Sequence, residues 1–228
     1  GMFYLVYSNV KTFRNYYKDV DNFLTCSRDI HGPWSDPEYL NSSGFDPSLF
    51  HDDDGKKYIL NQIWDHRDKN DPFDGIALQE YDPEQQCMKG EPVQIFKGSS
   101  IGVTEGPHLY KINGMYYLVC AEGGTFYEHA VTVARSKNIE GPYELSPYHP
   151  LMTSYGHPEL RLQKCGHGSL VCTQNGEWYM AHLCGRPEGA HKRCMLGRET
   201  FIQKLKMTED GWFVIDHPSG LPQNEVPS

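Results

Sequence analysis

Asp54-Gly55-Lys56-Lys57-Tyr58-Ile59 joins a turn pair to the start of a strand, and the pattern returns along the chain. It recurs as Asn113-Gly114-Met115-Tyr116-Tyr117-Leu118 and as Asn175-Gly176-Glu177-Trp178-Tyr179-Met180. Gly1-Met2-Phe3-Tyr4-Leu5 is a fourth copy, lacking only the residue before the glycine. Asp or Asn followed by Gly favours a tight hairpin, because these residues tolerate the positive φ angles such turns need. The aromatic and aliphatic residues that follow suit a half-buried pleated surface. Successive glycines (1, 55, 114 and 176) lie 54, 59 and 62 positions apart.

Further strand signals fill the space between turns. Gly75-Ile76-Ala77-Leu78-Gln79-Glu80-Tyr81 and Ala130-Val131-Thr132-Val133-Ala134 have the composition of third strands. Gly32-Pro33-Trp34 and Gly141-Pro142-Tyr143 recur where the chain would turn into a fourth. Helical periodicity is poor throughout. Four strands per ~50–60 residues is the arithmetic of a propeller blade. A β-sandwich with coincidental hairpins is the competing architecture. The expectation is an all-β propeller forming a single domain over residues 1–228.

Composition agrees with this class. The chain holds 15 Tyr, 10 Phe, 22 Gly and 15 Pro, a balance that favours short strands and tight turns over helices. Its net charge of −9 argues against nucleic acid or an anionic membrane as partner, since both are polyanions. No stretch reaches the ~18 apolar residues that span a bilayer. Residues 1–7 lack the basic region and cleavage site of a signal peptide, and a glycine ahead of Met2 has the form of an expression scar. The seven cysteines include no Cys-x-x-Cys pair and read as reduced thiols, which gives a cytoplasmic expectation.

The repeat also aligns polar residues. Counting back nine positions from Gly55, Gly114 and Gly176 reaches Asp46, Glu105 and His167. Equivalent positions in successive blades are related by rotation about one axis, and the strand before the turn should be innermost. These three residues are therefore expected to converge at the mouth of a central channel, with small glycine neighbours leaving room for a ligand. Two carboxylates so placed suit glycoside hydrolysis, in which one acid protonates the leaving oxygen and another group activates water. An ionised Asp46 would disfavour ionisation of Glu105, and a protonated glutamate is what a general acid requires. His167 could orient a carboxylate, bind sugar hydroxyls, or help hold a metal or water. Trp64 and Phe126 follow these strands and could stack on a sugar ring.

Several runs resemble glycoside hydrolase family 43. Gly44-Phe45-Asp46-Pro47-Ser48-Leu49-Phe50-His51-Asp52 is similar to its second catalytic-carboxylate segment. Thr104-Glu105-Gly106-Pro107-His108-Leu109-Tyr110 is similar to its general-acid segment. Leu78-Gln79-Glu80-Tyr81-Asp82-Pro83 resembles its β-xylosidase branch. Ala121-Glu122-Gly123-Gly124-Thr125 with His129 resembles a substrate-side loop, where Phe126-Tyr127-Glu128 replaces the usual smaller residues. Gly166-His167-Gly168-Ser169 and Leu196-Gly197-Arg198-Glu199-Thr200 resemble its central histidine and its substrate-binding arginine.

The resemblance implies five blades and inversion at the anomeric carbon. Glu105 would be the general acid, Asp46 would tune it and orient substrate, and His167, Arg198, Trp64, Thr125 and Phe126 would contact the sugar. The substrate would be a xylo-oligosaccharide or an arabinofuranoside. It also implies an aspartate base in a first blade. No match to that segment precedes the first repeat, so an incomplete, N-terminally truncated propeller is expected, one that could lack activity by itself. Asp46 shares the Asp-Pro-Ser context of such a base, but its spacing to Glu105 favours the second-carboxylate role. No cofactor is implied, although relatives sometimes hold calcium or water near the axis by His167. Open sheet edges would favour self-association.

Other signals carry less. Asp52-Asp53-Asp54-Gly55 lacks the alternating ligands and distal glutamate of a calcium loop and reads as a solvated turn. Two alternatives to a xylosidase remain open at this point. One is a non-catalytic carbohydrate-binding propeller. The other is a different five-bladed carbohydrate enzyme, such as a fructosidase or a glycoside phosphorylase.

Overall fold

The computed structural model describes residues 1–12, 18–67 and 69–226. Those residues form strands and turns, with no helix among them. Strands β1 (Phe3–Val10), β2 (Val20–Ser27) and β3 (Glu38–Asn41) make a three-stranded antiparallel sheet. The second sheet is a four-stranded meander of β4 (Ser48–His51), β5 (Lys57–Trp64), β6 (Phe73–Asp82) and β7 (Cys87–Phe96). The third comprises β8 (Glu105–Ile112), β9 (Met115–Glu122), β10 (Ala130–Ser136) and β11 (Glu144–Leu145), and β12 (Met152–Thr153) also pairs with β10. In the fourth, β13 (Gln163–Cys172) and β14 (Trp178–Gly185) lead through a short ribbon of β15 (Pro187–Glu188) and β16 (Arg193–Cys194). The chain then continues into β17 (Glu199–Met207) and β18 (Phe213–Ile215). This succession of antiparallel meanders is that of a β-propeller, and four such sheets are present among the described residues.

The turn glycines fall where the repeat places them. Asn113 and Gly114 both have positive φ, 51° and 76°, as a two-residue hairpin with primed geometry demands. Gly55 and Gly176 close longer turns, their amides donating to Asp52 O and Thr173 O at 3.1 and 3.0 Å. The Asp52–Gly55 segment is a turn as expected, but Asp52 is not solvated. Its carboxylate accepts bonds from Lys111 Nζ at 2.5 Å and Tyr116 OH at 2.6 Å, and its side chain is only 4% exposed. Burial pushes the Asp52 carboxyl up, yet these donors win and hold it below the usual carboxylate range.

The chain divides into two compact units. The first is Gly1–Lys97 with Thr104–Tyr116 and Ser136–Pro142; the second is Gly98–Val103 with Tyr117–Arg135 and Tyr143–Ser228. In the first, Leu24, Leu40, Ile59 and Tyr81 form a buried cluster, with Tyr4, Val6, Leu49 and Met88 packed against it. Each aliphatic side chain so buried contributes about 1.5–3 kcal/mol. In the second, Phe213 is contacted edge-on by Tyr117 and Trp178, with ring centroids 5.6 and 5.0 Å away. Arg135 lies 3.9 Å over the buried Trp212 ring.

Candidate active site

Asp46 and Glu105 both belong to the first unit. Asp46 precedes β4 and has φ 53°, a left-handed conformation that few side chains other than Asp and Asn adopt readily. Such strain persists only where the surroundings enforce it, and it concentrates at functional sites. Here a chain of amides does the enforcing. The Asp46 amide donates to Ser8 Oγ at 3.2 Å, and Ser8 Oγ donates to Asn22 Oδ1 at 2.7 Å. Asn22 Nδ2 donates to Asn41 Oδ1 and to the Gly44 carbonyl at 2.9 and 3.0 Å. Asn41 continues to Asn61, whose own amide holds Ser43 Oγ and the Gln62 carbonyl. Asn22, Asn61 and Gln62 are buried, so each bond is made in a low dielectric and each loss would leave a polar group unpaired. Gly44 is required here by space, since a Cβ would lie 1.7 Å from the Gln62 carbonyl oxygen.

Lys18 lies within electrostatic reach of both carboxylates. Burial lowers its pKa, and the charges of Glu105 and Asp46 oppose that shift. Its ammonium sits 3.5 Å from the Phe45 ring centroid and 4.6 Å from that of Trp64. Phe45, Trp64 and Phe73 pack as one aromatic group, with Trp64 and Phe73 centroids 5.2 Å apart. Trp64, expected as a sugar platform, is thus partly buried and shares its ring with two aromatic neighbours and a cation. Glu105 opens β8 and is partly buried, followed by Gly106 at φ 56°.

His167, Arg198, Thr125 and Phe126 belong to the second unit. His167 sits in β13 within the register shift between Gly166 and Gly168 and has φ 53°, the same value as Asp46. Its glycine neighbours allow close approach. A Cβ on Gly166 would meet the His129 ring at 2.2 Å, and one on Gly168 would meet Met180 Sδ at 2.4 Å. His129 is 1% exposed; its Nδ1 lies 3.0 Å from the Lys164 carbonyl and its Nε2 has no hydrogen-bond partner. Burial pushes the His129 pKa down to about 4, with His167, Arg198 and His182 adding to the shift and the Lys164 carbonyl opposing it. His129 is therefore a neutral ring that donates through Nδ1 and presents a bare Nε2. His182, equally buried, is pushed down to about 4 by the same cause.

Arg198 is exposed on the loop between β14 and β17. Arg186 and Glu199 fasten the base of that loop through guanidinium–carboxylate bonds of 3.1, 2.9 and 2.5 Å. Thr125 and Phe126 project from the loop between β9 and β10, with Phe126 70% exposed. Glu122 at the start of that loop is fully buried, accepting bonds from the amide and hydroxyl of Ser99 and from Thr132 Oγ1. Gly123 is forced by space, because a Cβ would meet the Glu128 carbonyl at 2.2 Å. Among the described residues, no group of three or more His, Cys, Asp or Glu side chains is arranged to hold a metal ion.

Asp46 and Glu105 both act electrostatically on Lys18, and His167 and Arg198 both act electrostatically on His129. Sequence reasoning missed Lys18, the amide chain and His182. A lone lysine in Tyr16-Tyr17-Lys18-Asp19 carries no pattern, and Asn22, Asn41 and Asn61 read separately as turn-prone polar residues.

Two carboxylates at repeat-equivalent strand ends, Asp46 in a left-handed conformation and Glu105 at the start of β8, lie in an all-β propeller. The model of glycosyl hydrolases family 43 matches residues 1–213, and the chain belongs to that family. It is 52% identical over 213 residues to a xylosidase/arabinosidase 43B of Humicola insolens, covering 93% of this chain and 40% of that protein. It is 50% identical to a beta-xylosidase of Bacillus subtilis, covering all of this chain and 44% of that one. A crystal structure of a xylan beta-1,4-xylosidase from Bacillus halodurans superposes with a TM-score of 0.97 at 60% identity, over 100% of this chain and 43% of the other. The chain thus spans about two fifths of the length of the relatives it matches.

Proposed function

We propose that the protein is a glycoside hydrolase that releases xylose, or arabinofuranose, from the ends of xylo-oligosaccharides with inversion. The observation that carries this reading is the match of residues 1–213 to family 43, with Asp46 and Glu105 at equivalent positions of the repeat and both within electrostatic reach of Lys18. In this reading Glu105 donates its proton to the glycosidic oxygen as the bond to the anomeric carbon breaks, while water bonds to that carbon from the opposite face and gives its proton to the aspartate base that the family resemblance places in a preceding blade. Asp46, with Lys18 beside it, holds the sugar for that transfer. His167, Arg198, Thr125 and Phe126 contact the substrate, and no cofactor takes part. The names of the relatives, a xylosidase/arabinosidase and beta-xylosidases, support the choice of sugar.

The test is turnover of two substrates by the wild-type chain and Glu105→Gln. Xylobiose hydrolysis should fall by about 10²–10⁴-fold in the variant, the usual share of general-acid catalysis. An aryl β-xyloside with an acidic phenol should lose far less, because its leaving group needs no proton. Equal losses on both substrates would count against Glu105 as the acid. If neither protein turns over substrate yet both bind xylobiose, the carbohydrate-binding reading gains.

A further inference from the structure

A second concave site lies within the second unit, bordered by the loop that carries Thr125 and Phe126 but not lined by either of them. The cleft, about 540 Å³, is of ordinary ligand-pocket size and is formed by the segment before β13, the β15–β16 ribbon and Tyr127. Its floor is pre-organised. The side-chain amide of Gln163, 6% exposed, donates to the carbonyls of His157 and Leu160, both at 2.8 Å. Backbone bonds from His157 to Ser154 and from Leu160 to His157 tighten the same turn.

Two features define what this cleft would take. Tyr127 and Tyr155 line it and are 39% and 59% exposed, which leaves aromatic faces for the apolar face of a sugar ring. The second feature is charge. Glu159 is engaged by His157 Nδ1 at 3.0 Å, whereas Arg161 and Lys192, also in the lining, form no salt bridge among the described residues, although Glu199 lies within electrostatic reach of Arg161. Lys164 adds a third cation 4.9 Å from the Tyr127 ring centroid. In a chain of net charge −9 this is a local positive field over two aromatic platforms.

We propose that this cleft binds a sugar bearing a carboxylate, a uronic acid, with the ring on Tyr127 or Tyr155 and the carboxylate on Arg161. A planar guanidinium matches a carboxylate with two parallel hydrogen bonds, which a neutral sugar cannot use. The choice of a sugar rests on the carbohydrate reading above; the charge preference rests on the cleft alone. Such a site would let the protein engage acid-decorated chains that a purely neutral site would reject.

The experiment titrates glucuronic acid into the full chain, with its uncharged methyl ester as control, following Tyr127 and Tyr155 ring signals by NMR. Neither compound is a substrate for glycosidic cleavage, so the result is independent of Glu105. The acid should bind at least about tenfold more tightly than the ester, and 0.5 M salt should erase most of the difference. Arg161→Gln, a change at an exposed position, should abolish the preference while leaving ester binding in place. Equal affinity for acid and ester, a preference that survives Arg161→Gln, or no shift of either tyrosine overturns the proposal.

Discussion

Asp46 and His167 stand at the same offset from their turn glycines and share φ 53°, yet the two units hold them by different means. Beneath Asp46 the restraint is a chain of buried amides ending on the Gly44 carbonyl, and the close contact at Gly44 is with backbone. Beside His167 the restraint is packing, and the close contact at Gly166 is with the ring of His129. The two units thus carry the same backbone strain at these two positions, which Glu105 does not share, and support it differently. One support yields to no side-chain change, and the other does.

The largest effect expected is at Gly44. Alanine there places a Cβ 1.7 Å from a main-chain oxygen, so unfolding by urea should show a loss above ~4 kcal/mol. Gln62→Ala should not relieve it. Gly166→Ala should cost about 3 kcal/mol, and here a double-mutant cycle with His129→Ala should recover at least ~1 kcal/mol as coupling. A cycle with no coupling at Gly166, or with coupling at Gly44, would break the comparison.

Acid should act through the second unit. His129 and His182 are each held near 4, below the ordinary histidine value of 6.5, so the unfolded chain binds more protons between those limits. Stability is complete above about pH 6.5 and falls as pH drops toward 4, by up to roughly 3 kcal/mol per histidine. Urea midpoints measured from pH 7 to 4 should show this slope, reduced in His129→Gln; an unchanged slope would mean that His129 is not held neutral by burial. The smallest effect is at Asn22. Alanine there should cost about 2 kcal/mol by taking the Asn22 donor from the Gly44 carbonyl and the acceptor from Ser8 Oγ. A neutral Asn22→Ala in the same assay would mean that the amide chain does not support Asp46.

Much of this could be read from the chain itself, for local reasons. Asp-Gly and Asn-Gly pairs announce hairpins because the positive φ they permit is a property of those residues alone. The same holds for the strands after Gly55, Gly114 and Gly176, where three-residue windows already show the aromatic and aliphatic bias of a sheet. Asp52 was misread because its turn context is local, while its partners Lys111 and Tyr116 are 59 and 64 residues away. Lys18 escaped for the same reason, since its place over Phe45 and Trp64 depends on packing between distant segments.

The sequence by itself determined the period, the turns, the β class and the candidate carboxylates. All of these depend on φ preferences, side-chain shape and spacing, which act over a few residues or repeat at fixed intervals. Only the tertiary structure decided which amides brace Asp46, that Lys18 lies within electrostatic reach of both carboxylates, that His129 and His182 stay neutral, and that Arg161 forms no salt bridge among the described residues. Those are consequences of burial and of contacts between segments far apart in the chain. Desolvation and Coulomb terms take their size from that packing, and no local pattern encodes it.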